Sequence, residues 1–297
     1  MNLRQIKFAV AVADTGSFTK AADACNVVQS ALSHQIAKLE QELGARLFER
    51  TSRAVKLTLV GNAFLPQARQ MLAASERIRE EVAAARGTVC GSLTVGTIST
   101  LRVLDLVDIL AQFHQRFPHV DVRFYQGMSE NLVADVREQR ADAGFIGLWP
   151  GEPVEGVSKL TLADEELVAL IPAGHALAQE QRISLLQLAG LPLVDFYANS
   201  GARRQTELAF AAAGVTPRVN FEVSHIDLLE SIVRRGLAIG LVPRSAVPRG
   251  EQLAVVSVEG APVRRVYAVW AQDPTPAASA FMDMVFAAHK AANTAGL

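Results

Sequence analysis

The chain is poor in the features that mark several large classes of protein. Its 297 residues include two cysteines, Cys25 and Cys90, and neither stands in a CxxC pair or at a metal-ligand spacing from a histidine. That pattern excludes a disulfide framework and a structural zinc, and it fits a reducing cytoplasm. No run of about 18 uncharged apolar residues occurs, so no transmembrane helix is expected. The opening stretch MNLRQIKFAVAVADTGSF carries Arg4, Lys7 and Asp14 and lacks the apolar centre of a signal peptide. The expectation is a cytoplasmic protein without a membrane partner.

Catalytic signatures are missing as well. There is no GxSxG, HExxH, GxxxxGK or GxGxxG sequence. Gly236 and Gly240 in RRGLAIGLVP lack a third glycine and a following helix, and His114 and His119 flank a helix end at Phe117-Pro118. No enzyme activity, metal or cofactor is expected. Cys90 has no neighbouring cation to activate its thiol.

An excess of charge is also absent: 29 basic residues against 30 acidic ones leave a formal net of −1. Taken whole, that argues against nucleic acid as a partner. Counted by region, residues 1–88 hold 12 Lys and Arg against 8 Asp and Glu, leaving 17 against 22 for residues 89–297. A basic head is joined to an acidic body, a distribution that points to a polyanion at the head.

The head reads as three short helices and a hairpin. Leu3, Ile6, Val10 and Ala13 recur at helical spacing until Gly16. Ser17 suits an N-cap for a second helix over residues 18 to about 25, closed by Asn26. Val28, Leu32, Ile36, Leu39 and Leu43 give a third helix its apolar face, ended by Gly44. LFER and VKLT flank a short turn and read as a two-stranded wing, which completes a winged helix-turn-helix over residues 1–60. Residues 61–90 carry a heptad seam of Phe64, Ala68, Met71, Ser75, Ile78, Val82 and Ala85, read as a linker helix and hinge that pairs two chains. Packing on its own domain is the other reading of that seam.

From residue 91 strands and helices alternate: SLTVGTI, a helix with Leu104, Val107, Leu110, Phe113 and Phe117, HVDVRFY, SENLVADVREQR and ADAGFIGLW. ELVALIP, LPLVDF, a helix over 202–213, VNFEV, a helix over 226–235, LAIGLVP, VRRVYAVW and a helix over 276–292 complete the series. Apolar strands between helices predict an α/β body of two lobes, one of about 91–162 plus 268–297 and one of about 163–267, with a cleft between them. The fold class is therefore mixed: winged helix-turn-helix, long linker helix, two-lobed α/β body.

The third helix sets Gln29, Ser30, Ser33, His34 and Gln35 opposite its apolar stripe. Such donor and acceptor groups suit base edges in a major groove, and Lys20, Arg50, Arg53 and Lys56 lie on neighbouring elements within reach of phosphates. On these residues alone, a solvated polar face is an equal alternative. The surrounding sequence, with Phe8, Gly16-Ser17-Phe18, Ala21-Ala22, Gln29-Ser30-Ala31, Ser33, Leu39-Glu40, Leu43-Gly44, Leu47-Phe48, Arg50, Leu57-Thr58 and Gly61, resembles the DNA-binding head of LysR-type transcriptional regulators. The linker and the body, similar to a periplasmic solute-binding protein, extend the resemblance along the chain. It implies a double-stranded DNA operator, base contacts from Gln29, Ser30, Ser33 and His34, backbone and wing contacts from Arg50 and Arg53, and a homotetramer built on linker-paired dimers, with RNA polymerase as a further partner. Cys25 departs from the family's usual Leu and reads as a small core residue. A cytoplasmic ligand-binding or interaction module that binds no DNA is the alternative function.

The resemblance also implies a small-molecule effector between the lobes. Thr97, Ser99 and Thr100 follow the first body strand, Met128 and Ser129 the second, and Asn199 and Arg203 enter a helix of the second lobe. Phe145, Trp149 and Phe196 are candidate apolar walls. Helix N-termini attract anions, which suggests a carboxylate. Many relatives carry an Arg after the GF pair of the third strand, whereas Gly147 follows Gly144-Phe145-Ile146 here, leaving Arg203 or backbone amides to hold such a group.

Overall fold

The computed structural model describes residues 1–50, 55–247 and 252–295, and it divides into two compact units, Met1–Thr88 and Val89–Leu297. In the first, α1 (Leu3–Thr15) opens with a capping box: Asn2 Oδ1 accepts from the Gln5 amide at 3.0 Å and Gln5 Oε1 accepts from the Asn2 amide at 2.9 Å. Ser17 caps α2 (Phe18–Ala24), and Asn26 takes the left-handed conformation, with φ 54°, that turns the chain into α3 (Gln29–Leu43). The wing strands β1 (Phe48–Arg50) and β2 (Val55–Leu57) pair antiparallel, and α4 (Leu59–Ala85) follows.

Two expected faces shift. On α1 the buried set is Gln5, Ile6, Phe8, Ala9 and Val12, because α2, α3 and α4 all pack on it, while Leu3 is exposed. On α3 only Leu32, Ile36 and Leu39 are buried. Val28 precedes the helix in extended backbone and lies 69% exposed, and Leu43 is exposed at the other end. Helical spacing cannot be carried past the residue at which the helix begins.

Thr58 ties α4 to the wing. Its hydroxyl donates to the Arg46 carbonyl at 2.7 Å and accepts from the Gly61 amide at 2.9 Å. A side chain on Gly61 would collide with the Leu47 carbonyl, so the first turn of α4 approaches that backbone only with glycine. Pro66 lies inside the helix, which continues through it. Along the seam Ala68 is buried, whereas Met71, Ile78 and Val82 are exposed.

The second unit runs β3 (Gly91–Thr97), α5 (Leu106–Arg116), β4 (Val120–Gln126), α6 (Ser129–Arg137), β5 (Ala143–Leu148), β6 (Ser158–Pro172), β7 (Arg182–Ser184), α7 (Leu185–Ala189), β8 (Leu193–Phe196), α8 (Gly201–Ala212), β9 (Val219–Val223), α9 (Ile226–Arg234), β10 (Ile239–Pro243), β11 (Leu253–Glu259), β12 (Val263–Trp270) and α10 (Pro276–Ala295). The strand order β4-β3-β5-β12-β6-β10-β8-β9 is parallel within each flank and antiparallel around β6, with β11 pairing β6 and β7.

One apolar core gathers Leu93, Phe113, Phe145 and Phe281, and the other lobe packs Leu167, Phe210 and Leu241 on one sheet face and Leu170, Leu229 and Val233 on the opposite face. β6 and β12 run through the junction, so the lobe boundaries expected at 162/163 and 267/268 fall inside continuous strands. The sequence reading missed the first half of β6, β7, α7 and β11. Of the stripe expected on α5, Leu104 and Phe113 are buried and Leu110 and Phe117 pack against the core, whereas Val107 is 69% exposed and Leu106 and Ile109 are buried beside them.

Candidate functional sites

At the start of α3, Gln29, Ser30 and His34 are exposed and Ser33 is half-buried. Gln29 Nε2 donates to Ser33 Oγ at 3.0 Å, one turn along, so the two side chains present a shared polar edge. The helix starts with no side-chain cap, which leaves its first amides open to an acceptor such as a phosphate. Lys20 on α2 and Lys56 on β2 are exposed. Arg50 ends β1, and Arg53 lies outside the described residues.

Between the lobes lies a cavity of about 70 Å³, partly open to solvent. Of the residues expected there, Ser99, Thr100, Met128, Ser129 and Phe196 line it; Thr97, Phe145, Trp149, Asn199 and Arg203 do not. Thr97 is buried and faces an adjoining groove with Phe124 and Gln126. Phe145 sits in the first core, edge-on to Phe281 with ring centroids 6.4 Å apart. Trp149 and Asn199 are exposed. The loop after β3 does not lead directly into a helix either: α5 begins at Leu106, capped by Asp105.

Ser129 is the first residue of α6 and exchanges hydrogen bonds with Gly147, accepting from its amide and donating to its carbonyl, both at 3.1 Å. It thereby fixes α6 to the end of β5. Ser200, not Asn199, caps α8, accepting from the Arg203 amide at 3.2 Å. The Arg203 guanidinium turns to carboxylates: its Nε lies 3.0 Å from Glu207 and 4.0 Å from Asp195, and its Nη1 3.4 Å from Glu222.

Three ionisable residues of the lining escaped the sequence reading. Arg264 of β12 and Asp195 of β8 are 6% and 4% exposed, and Glu130 lies in the first turn of α6. Arg264 donates to Glu165 Oε2 from Nε at 2.7 Å and to the hydroxyl and carbonyl of Thr100 at 2.6 and 3.0 Å. Asp195 Oδ1 accepts from the Phe196 amide at 2.7 Å, and burial pushes its carboxyl up to about 7. A charged residue inside an otherwise apolar strand was the available signal for Asp195, and for Arg264 the pair it forms with Arg265 at the start of an apolar strand. Gln205 and Thr206, on the inner face of α8, complete the polar wall.

A winged helix-turn-helix with an open polar helix, carried on a chain whose second unit holds between its two lobes a cavity lined by apolar and polar groups, defines a ligand-responsive DNA-binding protein. Residues 3–62 match the family model for bacterial regulatory helix-turn-helix proteins of the lysR family, and residues 86–290 match that for the LysR substrate binding domain. The chain belongs to the LysR family of transcriptional regulators.

Among curated relatives, the DNA-binding transcriptional dual regulator OxyR of Escherichia coli (strain K12) is 32% identical over 84% of this chain and 81% of its own length. The HTH-type transcriptional regulator ShiR of Corynebacterium glutamicum (strain R) is 33% identical over 81% and 82%. A full-length OxyR variant from Pseudomonas aeruginosa superposes with a TM-score of 0.74 at 28% identity, over 98% of this chain and 95% of that one. CbnR in complex with its target DNA gives 0.66 at 26% identity, over 97% and 100%.

Proposed function

We propose that this regulator reads an operator through Gln29, Ser30, Ser33 and His34, with Lys20, Arg50 and Arg53 on the sugar-phosphate backbone, and that a small molecule in the inter-lobe cavity adjusts its activity. The observation that carries the reading is the polar edge shared by Gln29 and Ser33 at the open start of α3, the geometry that places side chains against base edges. The exposed Met71, Ile78 and Val82 of α4 support pairing of two chains along the linker, residues 61–90, and two such pairs make the tetramer. Pairing multiplies the modest affinity of a head with few excess positive charges. RNA polymerase is the partner through which occupancy of the operator reaches transcription. The protein works in the cytoplasm and catalyses no reaction.

Closure of the lobes on an effector changes DNA binding only if the open and closed states differ in affinity for it. Hydrogen peroxide is part of the names of several relatives. Residues 91–297 of this chain contain no cysteine, so a disulfide formed within the lobes is not its signal. Mobility shifts on the DNA upstream of the protein's own coding sequence, at low salt, test the proposal. Retardation of that DNA ahead of random DNA is expected, and equal affinity for both contradicts sequence reading.

A further inference from the structure

Among the described residues, two of the three ionisable side chains lining the inter-lobe cavity, Glu130 and Asp195, are acidic, and the guanidinium of the third, Arg264, is already engaged. Arg264 directs four of its five donors to Glu165 and Thr100, and both side chains of the ion pair are 7% exposed. A carboxylate arriving in the cavity would find Arg264 neutralised by Glu165.

Two helix N-termini, of α6 and α8, meet at the cavity through Ser129 and Gly201. Such ends attract an anion, and the chain provides its own. Glu130, second in α6, places its carboxylate against Gly201, the first residue of α8, where any side chain would collide with it. Its Oε1 is buried and has no hydrogen-bond partner among the described residues. A buried carboxylate oxygen without a donor is costly, and the cost disappears when a donor arrives. Asp195, on the opposite lobe, adds a second carboxylate 4% exposed to solvent. The cation near it, Arg203, is divided among Asp195, Glu207 and Glu222.

We infer that the cavity takes a small cationic hydrogen-bond donor, an amine or amidine, held between Glu130 of one lobe and Asp195 of the other, and not a carboxylate. This rests on the reading of the cavity as the effector site and specifies its ligand. The cavity, about 70 Å³ and partly open to solvent, admits a small molecule of this kind. A ligand bridging carboxylates on both lobes would hold them together, which gives it the preference for the closed state that regulation requires.

Calorimetric titration of the full chain with 1,3-diaminopropane and with malonate, its counterpart of similar size and opposite charge, at fixed ionic strength tests the inference. The diamine is expected to bind, malonate to give no heat, and Glu130→Gln and Asp195→Asn each to weaken the diamine by about tenfold or more. Both substitutions keep side-chain shape, and circular dichroism establishes that each variant is folded. Tighter binding of malonate overturns the amine assignment while leaving the cavity as the effector site. An undetectable diamine interaction, or one unchanged in both variants, also overturns it. Diamine affinity that survives Gly201→Leu, which fills the cavity, overturns the inference and the effector-site reading together.

Discussion

Arg264 and Glu165 face each other in register across β12 and β6, at the junction where both strands pass between the lobes, and their side chains meet at 2.7 Å with almost no exposure to solvent. Burial lowers the guanidinium's hold on its proton and Glu165 restores part of it. Removing one partner leaves the other charge buried and unpaired. Arg264→Met is therefore expected to destabilise the second unit by about 3–5 kcal/mol, and Arg264→Met with Glu165→Met to recover most of that loss. Urea unfolding of the single and double variants measures both. A single-variant loss below about 1 kcal/mol, the range of an exposed pair, contradicts this account of the junction.

The start of α4 depends on a contact that no side chain can share. A Cβ on Gly61 would overlap the Leu47 carbonyl, and backbone cannot swing aside as a side-chain tip can. Gly61→Ala should cost the first unit about 1–3 kcal/mol through this overlap, and Thr58→Ala about 1 kcal/mol through the lost cap. Thermal melting of the full chain, followed by the first unit's transition, gives both values. A neutral Gly61→Ala means that the wing yields easily.

Asp195 makes stability depend on pH. Burial raises its carboxyl from 3.8 to about 7, and Arg203, Glu207, Thr206 and the Phe196 amide are the groups that act on it. Between these values the folded chain binds more protons than the unfolded one, so the contribution of Asp195 is fully present below pH 3.8 and is lost as the pH rises through about 7. Asp195→Asn should flatten that part of the profile and be at least as stable as the parent at about pH 8. Midpoints of denaturant unfolding from about pH 5 to 8 decide it; an unchanged slope contradicts the assignment. A cationic ligand favours the ionised form, so its affinity should rise over the same interval.

Much of the fold was legible because periodicity and turn chemistry agreed. Ser17, Asn26 and Gly44 mark the helix boundaries in the sequence, and the structure ends or starts helices beside each of them. The first half of β6 was not legible, since Lys159, Thr161 and Asp164 interrupt it with polar groups and read as a loop. β11 opens on the apolar run Leu253–Val256 and alternates from there to Glu259, and could have been found. In the cavity, Ser99, Thr100, Met128 and Ser129 followed from loop position and Phe196 from its apolar side chain. Asp195 interrupts an apolar strand and was detectable as an anomaly, whereas Arg264 shares the start of β12 with Arg265, and nothing in the sequence tells the buried one from its neighbour. Glu130 was not, because an acidic residue in a helix's first turn is ordinary, and only the approach of Gly201 from the other lobe gives it a special place.

The central claim is that α3 reads DNA sequence from the edge formed by Gln29 and Ser33. Its most direct test is operator affinity, measured beside random DNA at the same low salt, for Gln29→Ala and Ser33→Ala. Each is expected to lose about 1–3 kcal/mol on the operator and to keep its affinity for random DNA. Equal losses on the two DNAs, or none on either, would contradict the claim.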